Sequence, residues 1–241
     1  MTHRLNHLGQ AIGMPLEGWK PPPAPAREPI AGRFCRLEPL DADRHAADLH
    51  AANALDVPGR NWTYLPYGPF DDVQAYSAWV RASAAGNDPL FFAILPTERA
   101  TACGVASYLR VASAIGSIEV GHINFSPLLS RTPAATEAMY LMMKRVFELG
   151  YRRYEWKCDS LNAPSRAAAQ RLGFSFEGIF RNAAVYKSRS RDTAWYAVIE
   201  EDWPALDAAF LAWLAPGNFD ANGRQRRRLA EMTAPLLRRQ S

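Results

Sequence analysis

Between Gly32 and Leu214 the spacing of apolar positions changes several times, and each change marks an element. Arg33–Leu37 reads as a short strand, and Asp41 or Asp43 opens an Ala-rich helix to about Leu55. A loop carrying Trp62, Tyr64, Tyr67 and Pro69 leads to a second helix over Asp71–Ala85. Three strands follow: the unbroken apolar run Leu90–Leu95, then Gly104–Val111 and Gly116–Phe125. The turns between them, Pro96–Ala102 and Ala112–Gly116, predict an antiparallel meander. The period then becomes helical, with Ala135, Met139, Met142, Met143, Val146 and Leu149 on one stripe and Gly150 closing it. Tyr154–Cys158 is a strand, and Asn162 caps a short helix that stops at Gly173. Phe174–Gly178 and Asp192–Ile199 read as the last strands, and Trp203–Leu214 as the last helix. Strands and helices are intermixed without an internal repeat, which predicts an α+β (mixed α/β) domain.

Composition adds boundaries. Residues 1–31 hold six of the 18 Pro, including Pro21-Pro22-Pro23-Ala24-Pro25, and predict an extended arm that Trp19 pins to the body. The 241 residues, 48% hydrophobic and 22% charged, suffice for a core without staples. The expected division is an arm (1–31), a folded domain (32–216) and a tail (217–241). The net charge of +4 sits in the tail, where six Arg face two acids; the first 216 residues balance 22 basic against 22 acidic groups. That distribution argues against a nucleic-acid face, and the tail is expected to be solvated or to pack on itself. Cys35, Cys103 and Cys158 form no C-x-x-C pair, which argues against zinc and for a reducing compartment. No membrane-length apolar run and no signal-peptide core occur, so the expectation is a cytoplasmic protein.

Two strand-to-helix junctions carry the candidate chemistry. The first runs Asn124-Phe125-Ser126-Pro127-Leu128-Leu129-Ser130-Arg131-Thr132-Pro133-Ala134-Ala135-Thr136-Glu137. A helix N-terminus offers free N–H groups and about half a positive charge, which suits a phosphate. Ser130, Arg131 and Thr132 add two hydroxyls and a cation. The second junction, Asn162-Ala163-Pro164-Ser165 to Arg171-Leu172-Gly173-Phe174, is in itself good helix grammar.

Together the junctions resemble the GNAT acetyltransferase superfamily, and more narrowly its branch of Rim-type ribosomal-protein N-terminal acetyltransferases. Glu119-Val120-Gly121-His122, Ala135-Thr136-Glu137-Ala138 and Asn162-x-x-Ser165…Arg171-Leu172-Gly173-Phe174 carry the likeness, which covers roughly Gly32 to Pro204. It implies a mixed, mostly antiparallel sheet of about seven strands with helices on both faces. That sheet would splay after Glu119–Phe125, beside the Tyr154–Cys158 strand, with acetyl-CoA in the opening. By the resemblance Ile123, Asn124 and Phe125 pair with the pantetheine arm and Asn162 hydrogen-bonds it. The pyrophosphate goes to the amides and side chains of Ser130, Arg131, Thr132, Ala134, Ala135 and Thr136. One departure is plain: Pro133 stands where the family's phosphate loop carries its central Gly, and it has no N–H to offer. Proline suits a first helical turn, so the helix itself is expected to survive.

An amine acceptor must lose a proton before it can attack a thioester, and a carboxylate can take it. Glu119 matches the acidic position of the Rim-type motif and is the candidate base. Ser165 matches the residue expected to protonate the leaving thiolate. His122 alternates with Val120 and Asn124 and is expected to face away from Glu119 as a structural residue. Trp62, Tyr64, Tyr67 and Phe70 lie on the loop that lines the acceptor side in this family, and aromatic walls suit an amino acid or peptide N-terminus. The expected activity is transfer of an acetyl group to a primary amine, the α-amine of a small molecule, amino acid or peptide, without a metal. Ribosomal-protein Nα-acetylation and a non-catalytic acetyl-CoA-binding module are the rival readings, and a homodimer stays open.

Overall fold

The computed structural model describes residues 3–238. In chain order they form β1 (Arg4–Leu5), β2 (Ala11–Ile12), β3 (Ile30–Ala31), β4 (Cys35–Pro39), α1 (Ala42–Asn53), α2 (Val73–Ala85) and β5 (Leu90–Pro96). There follow β6 (Gly104–Ala112), β7 (Ser117–Phe125), α3 (Pro133–Glu148), β8 (Arg153–Asp159) and α4 (Ala163–Arg171). The last elements are β9 (Ser175–Tyr186), β10 (Arg189–Ile199), α5 (Trp203–Leu214) and α6 (Leu229–Thr233). Strands β3 to β10 make one eight-stranded sheet in the order β3-β4-β5-β6-β7-β8-β10-β9, while β1 and β2 form a separate two-residue ladder. Every neighbour in the large sheet is antiparallel except β7 and β8. Among the described residues no helix is long and apolar enough to cross a membrane.

The sheet is covered on both faces, and β5 shows why its sequence is unbroken apolar. Phe92 and Ile94 enter the core formed with Met139, Met142, Met143 and Val146 of α3 and Phe210 of α5. Phe91, Ala93 and Leu95 enter a second core with Leu49 of α1 and Tyr76 and Val80 of α2. Side chains alternate across a strand, so burial on both faces removes the polar half of the pattern. Helix starts follow their caps: Asp41, Asp72, Thr132 and Asn162 each accept a backbone N–H from the residue three positions on.

Three features depart from the sequence expectation. Ile30–Ala31 adds an eighth strand by pairing with Leu37 and Arg36, too short to show a period. The strands expected at Phe174–Gly178 and Asp192–Ile199 are halves of a much longer β9–β10 hairpin that turns at Lys187-Ser188. Residues 179–185 of its outer part are exposed, so no core pressed an alternating pattern onto them. The tail from 217 packs on itself, where the Arg227 N–H donates to Asn218 Oδ1 (2.9 Å), but also on the domain: Leu229 and Thr233 are buried, and Thr233 donates to the Arg171 carbonyl at the end of α4 (3.0 Å).

The arm is held at its junction with the domain. Glu137 of α3 is buried and accepts from the backbone N–H of Arg33, Phe34 and Cys35 (2.9, 2.5 and 2.9 Å). Gly32 leaves room for this, because a Cβ there would lie 2.4 Å from the Glu137 carboxylate. Trp19 packs beside Gly116 at the β6–β7 turn.

Candidate active site

The parallel pair β7 and β8 is in register over only four rungs, from Ser117 opposite Arg153 to Val120 opposite Trp156. Beyond that rung both strands continue, to Phe125 and Asp159, without pairing to each other, while β7 stays on β6 and β8 on β10. Backbone groups there lose their ladder partners, and the sheet opens into a V. Helices α3 and α4 begin just past the two strand ends, so two helix N-termini face the opening, as in the crevices where α/β proteins bind anions. A cleft of about 460 Å³ fills the V; its walls include Glu119, Ile123, Asn162, Ser165 and Tyr64.

Glu119 sits on the last paired stretch of β7 and is almost fully buried. Arg110 Nη1 reaches both its oxygens (2.8 Å each), and Lys157 Nζ lies 3.0 Å from Oε2. Lys157 is shared with Glu155 (2.7 Å) and lies 3.7 Å from the centre of the Trp195 ring. Burial lifts the Glu119 carboxyl above its ordinary range, against the opposing pull of Lys157 and Arg110. Gly121 keeps the space beside it open: a Cβ there would stand 2.9 Å from Leu109 and 3.6 Å from Glu119 Oε1.

Ser165 lies in the first turn of α4, where its backbone N–H is held by Asn162 Oδ1 (3.1 Å). Trp156 Nε1 donates to its Oγ (3.0 Å). A serine hydroxyl has one donor and two acceptor positions, so this bond leaves its proton free to point at another atom. The Ser165 hydroxyl also opposes the rise that burial imposes on the Cys158 thiol.

His122 does not face away. Between Val105 and Ser107 of β6 the ladder advances two residues, while β7 retreats three, from Asn124 to Gly121. The extra residue is a bulge, and His122 takes φ +51° within it. The bulge breaks the alternation expected from sequence and sets His122 in the same cleft wall as Glu119. Its ring stacks on Tyr67 (5.6 Å, 15°), and Nδ1 is 3.1 Å from the Tyr67 hydroxyl. Burial and the Arg110 charge lower its pKa to about 4, so it is neutral at pH 7.

The aromatic candidates divide. Tyr64 lines the cleft and donates to the Leu161 carbonyl (3.1 Å), bridging the loop to the start of α4. Trp62 is buried against Tyr67, Phe70 and Tyr76, behind the wall, and Tyr67 acts on the site through His122.

At the donor side the geometry narrows the expected contacts. The Phe125 carbonyl already accepts from Asn61 Nδ2 (2.9 Å) and Ser130 Oγ (3.0 Å), which fills both its lone pairs. The Asn124 side chain is buried with neither amide atom partnered, and Ile123 is the one of the three that lines the cleft. In the loop, Ser130 N–H donates to the Ser126 carbonyl and Thr132 N–H to that of Leu129, while the Ala135 N–H is capped by Thr132 Oγ1. Pro133 occupies the first helical position, as its lack of an N–H favours, and Thr136 lies in the turn above. Among the described residues this leaves the Arg131 and Ala134 amides as the loop's donors, with Arg131 at φ +64°. Arg171, which sequence reading did not place here, donates to Thr136 Oγ1 (3.2 Å) and has no carboxylate partner among the described residues. The parted strand edges and two helix starts, with Arg131 at the start of α3 and Arg171 bonded to Thr136 in its first turns, are groups that suit an elongated, phosphorylated ligand.

A family model for the acetyltransferase (GNAT) domain matches residues 35–175, more than half of the chain, and the protein therefore belongs to the GNAT acetyltransferase family. Among solved structures it resembles a GCN5-related N-acetyltransferase from Brucella melitensis, at 45% identity and a TM-score of 0.89, covering 91% of this chain and 100% of that one. An uncharacterized N-acetyltransferase, YnaD of Bacillus subtilis, is 26% identical over 141 residues, 58% of this chain and 81% of the relative. The fold is also shared with RimL, a ribosomal L7/L12 α-N-protein acetyltransferase, at 19% identity and a TM-score of 0.61 over 71% of this chain and 94% of that one. These findings bear out the family expected from the two junction motifs, and the likeness to RimL is one of fold.

Proposed function

We propose that the protein moves the acetyl group of acetyl-CoA directly onto a primary amine of a small molecule or peptide. The observation that carries this is the convergence of Glu119, Ser165 and Tyr64 on one cleft at the parting of β7 and β8. Acetyl-CoA would supply a thioester carbonyl already activated toward an amine. Ile123 and Asn162 would hold its pantetheine arm, and Arg131, Ala134 and Arg171 its phosphates. Glu119, buried and lifted in pKa, takes a proton from the incoming ammonium directly or through one water. An N–H of β7 beyond Val120, freed from the ladder, meets the carbonyl oxygen as charge develops on it. Ser165 turns its free proton toward the leaving sulfur. The products are an amide and a thiol, so of the two protons the ammonium loses, one ends on sulfur and the other in solvent.

The test is calorimetric titration with acetyl-CoA, followed by a panel of amines assayed for release of free CoA thiol. Binding in the micromolar range with acceptor-dependent thiol release supports the reading. Absence of binding up to millimolar acetyl-CoA, or binding with no thiol release from any amine, refutes it; the second outcome would favour an acetyl-CoA-binding module.

A further inference from the structure

Three cations line the cleft, and they are not equivalent. Arg110 and Lys157 are neutralised by Glu119 and Glu155. Arg191 of β10 is half-buried, and its side chain bonds only to Thr193 Oγ1 (3.0 Å), with the Tyr186 ring 5.9 Å from its guanidinium carbon. No carboxylate among the described residues lies within ion-pair distance of it. Asp159, the other acid of the cleft wall, has its oxygens engaged by the Leu161 N–H (2.9 Å) and the Tyr186 hydroxyl (2.8 Å). A guanidinium carries five donors, so Arg191 keeps most of its capacity directed at whatever enters.

The same hairpin closes the acceptor side. At its tip Lys187 Nζ donates to the Trp62 carbonyl (2.8 Å) and Arg189 to that of Thr63 (2.6 Å). Two further positive charges are thereby fixed on the acceptor loop, and neither has a carboxylate within ion-pair distance among the described residues. A half-buried guanidinium without a counter-ion is costly to the folded protein, and an incoming oxyanion relieves that cost.

We infer that the acceptor carries an oxyanion as well as its amine, a carboxylate or a phosphate, and that Arg191 is the residue that binds it. This rests on the acetyltransfer reading and specifies its substrate class: amino acids or amino phosphates rather than lysine side chains or polyamines. The hairpin charges at Lys187 and Arg189 draw such an acceptor in and repel polycations.

The experiment compares matched acceptors: L-phenylalanine with L-phenylalaninamide, and O-phosphoethanolamine with ethanolamine. The expected result is a preference for the anionic member of at least one pair by about tenfold or more in kcat/KM, the scale of one charge-assisted contact. The preferred pair tells carboxylate from phosphate. Arg191→Met should bring that ratio close to one through KM, with acetyl-CoA affinity kept, and Arg191→Lys should retain part of it. Equal or inverted preference in the wild type, or a preference that survives Arg191→Met, overturns the inference. If neither pair turns over, titration of the CoA-loaded protein with N-acetyl-L-phenylalanine, its amide and N-acetyl-O-phosphoethanolamine decides. Tighter binding of an anion that Arg191→Met removes supports the inference, and equal or no binding overturns it. Failure of acetyltransfer itself would show separately, as absent acetyl-CoA binding or as a silent amine panel.

Discussion

The Glu119 carboxylate and the Lys157 ammonium meet at 3.0 Å across the last paired rung of β7 and β8, with Glu119 one residue before it and Lys157 one residue after, so one ion pair spans the place where the sheet parts. Both groups are nearly buried, and Lys157 is held on its other side by Glu155. Such a pair contributes little net stability against its desolvation, but it fixes where the carboxylate points.

The first prediction concerns Glu119 itself. Glu119→Gln keeps the shape and removes the base, so kcat should fall by about 10²–10⁴-fold. Acetyl-CoA affinity, measured by calorimetry, should be unchanged. An unaltered kcat, or an equal loss of affinity, would remove Glu119 from the role of base.

The second concerns pH. Glu119 works ionised, and burial raises its pKa above that of an ordinary carboxylate. The kcat/KM profile should therefore rise with pH through an acid limb lying above the usual glutamate value of about 4.3. Lys157 opposes that lift, so Lys157→Met should move the limb to higher pH. A limb that stays in place or moves down would show that Lys157 does not set the carboxylate's ionisation.

A third prediction separates two roles of Ser165. Ser165→Ala removes the proton aimed at the leaving sulfur and should lower kcat without weakening acetyl-CoA binding. It also leaves the Trp156 indole N–H without its partner, a loss of about 1–3 kcal/mol if no water replaces it. Ser165→Cys, with its weak donor, should recover only part of kcat. Equal kcat for wild type and Ser165→Ala in an acceptor-saturated assay would leave Ser165 with the structural role alone.

How much of this was legible depended on range. The helices were readable because their signals are local: Asp41 and Asn162 are caps, and the Met139–Met143–Val146 stripe repeats within one element. The two junction motifs placed Glu119 and Ser165 on one cleft because the family likeness supplied the topology that spacing does not. Arg110, Lys157 and Arg191 reach that cleft only through the strand order, since β6, β8 and β10 are far apart in sequence. His122 faces the cleft for a different reason: one inserted residue inverts every alternation beyond it, and its local sign is Gly121 inside the strand, which also serves the close approach of Leu109.

The fourth prediction follows from that bulge. His122 in the folded protein has a pKa lowered from 6.5 to about 4, so the unfolded chain binds the proton more readily between those values. Stability linked to His122 is therefore fully present above about pH 6.5 and is lost as pH falls toward about 4, by at most about 3 kcal/mol. His122→Asn should flatten this acid dependence, because Asn tolerates the left-handed backbone and does not titrate. It also loses the stacking on Tyr67, so the variant should be less stable at neutral pH. Urea unfolding of both proteins at about pH 7 and about pH 5 isolates the effect: the gap between them should narrow on acidification. A gap that stays constant, or widens, would mean that His122 is not the buried neutral group its position between Tyr67 and Phe91 makes it.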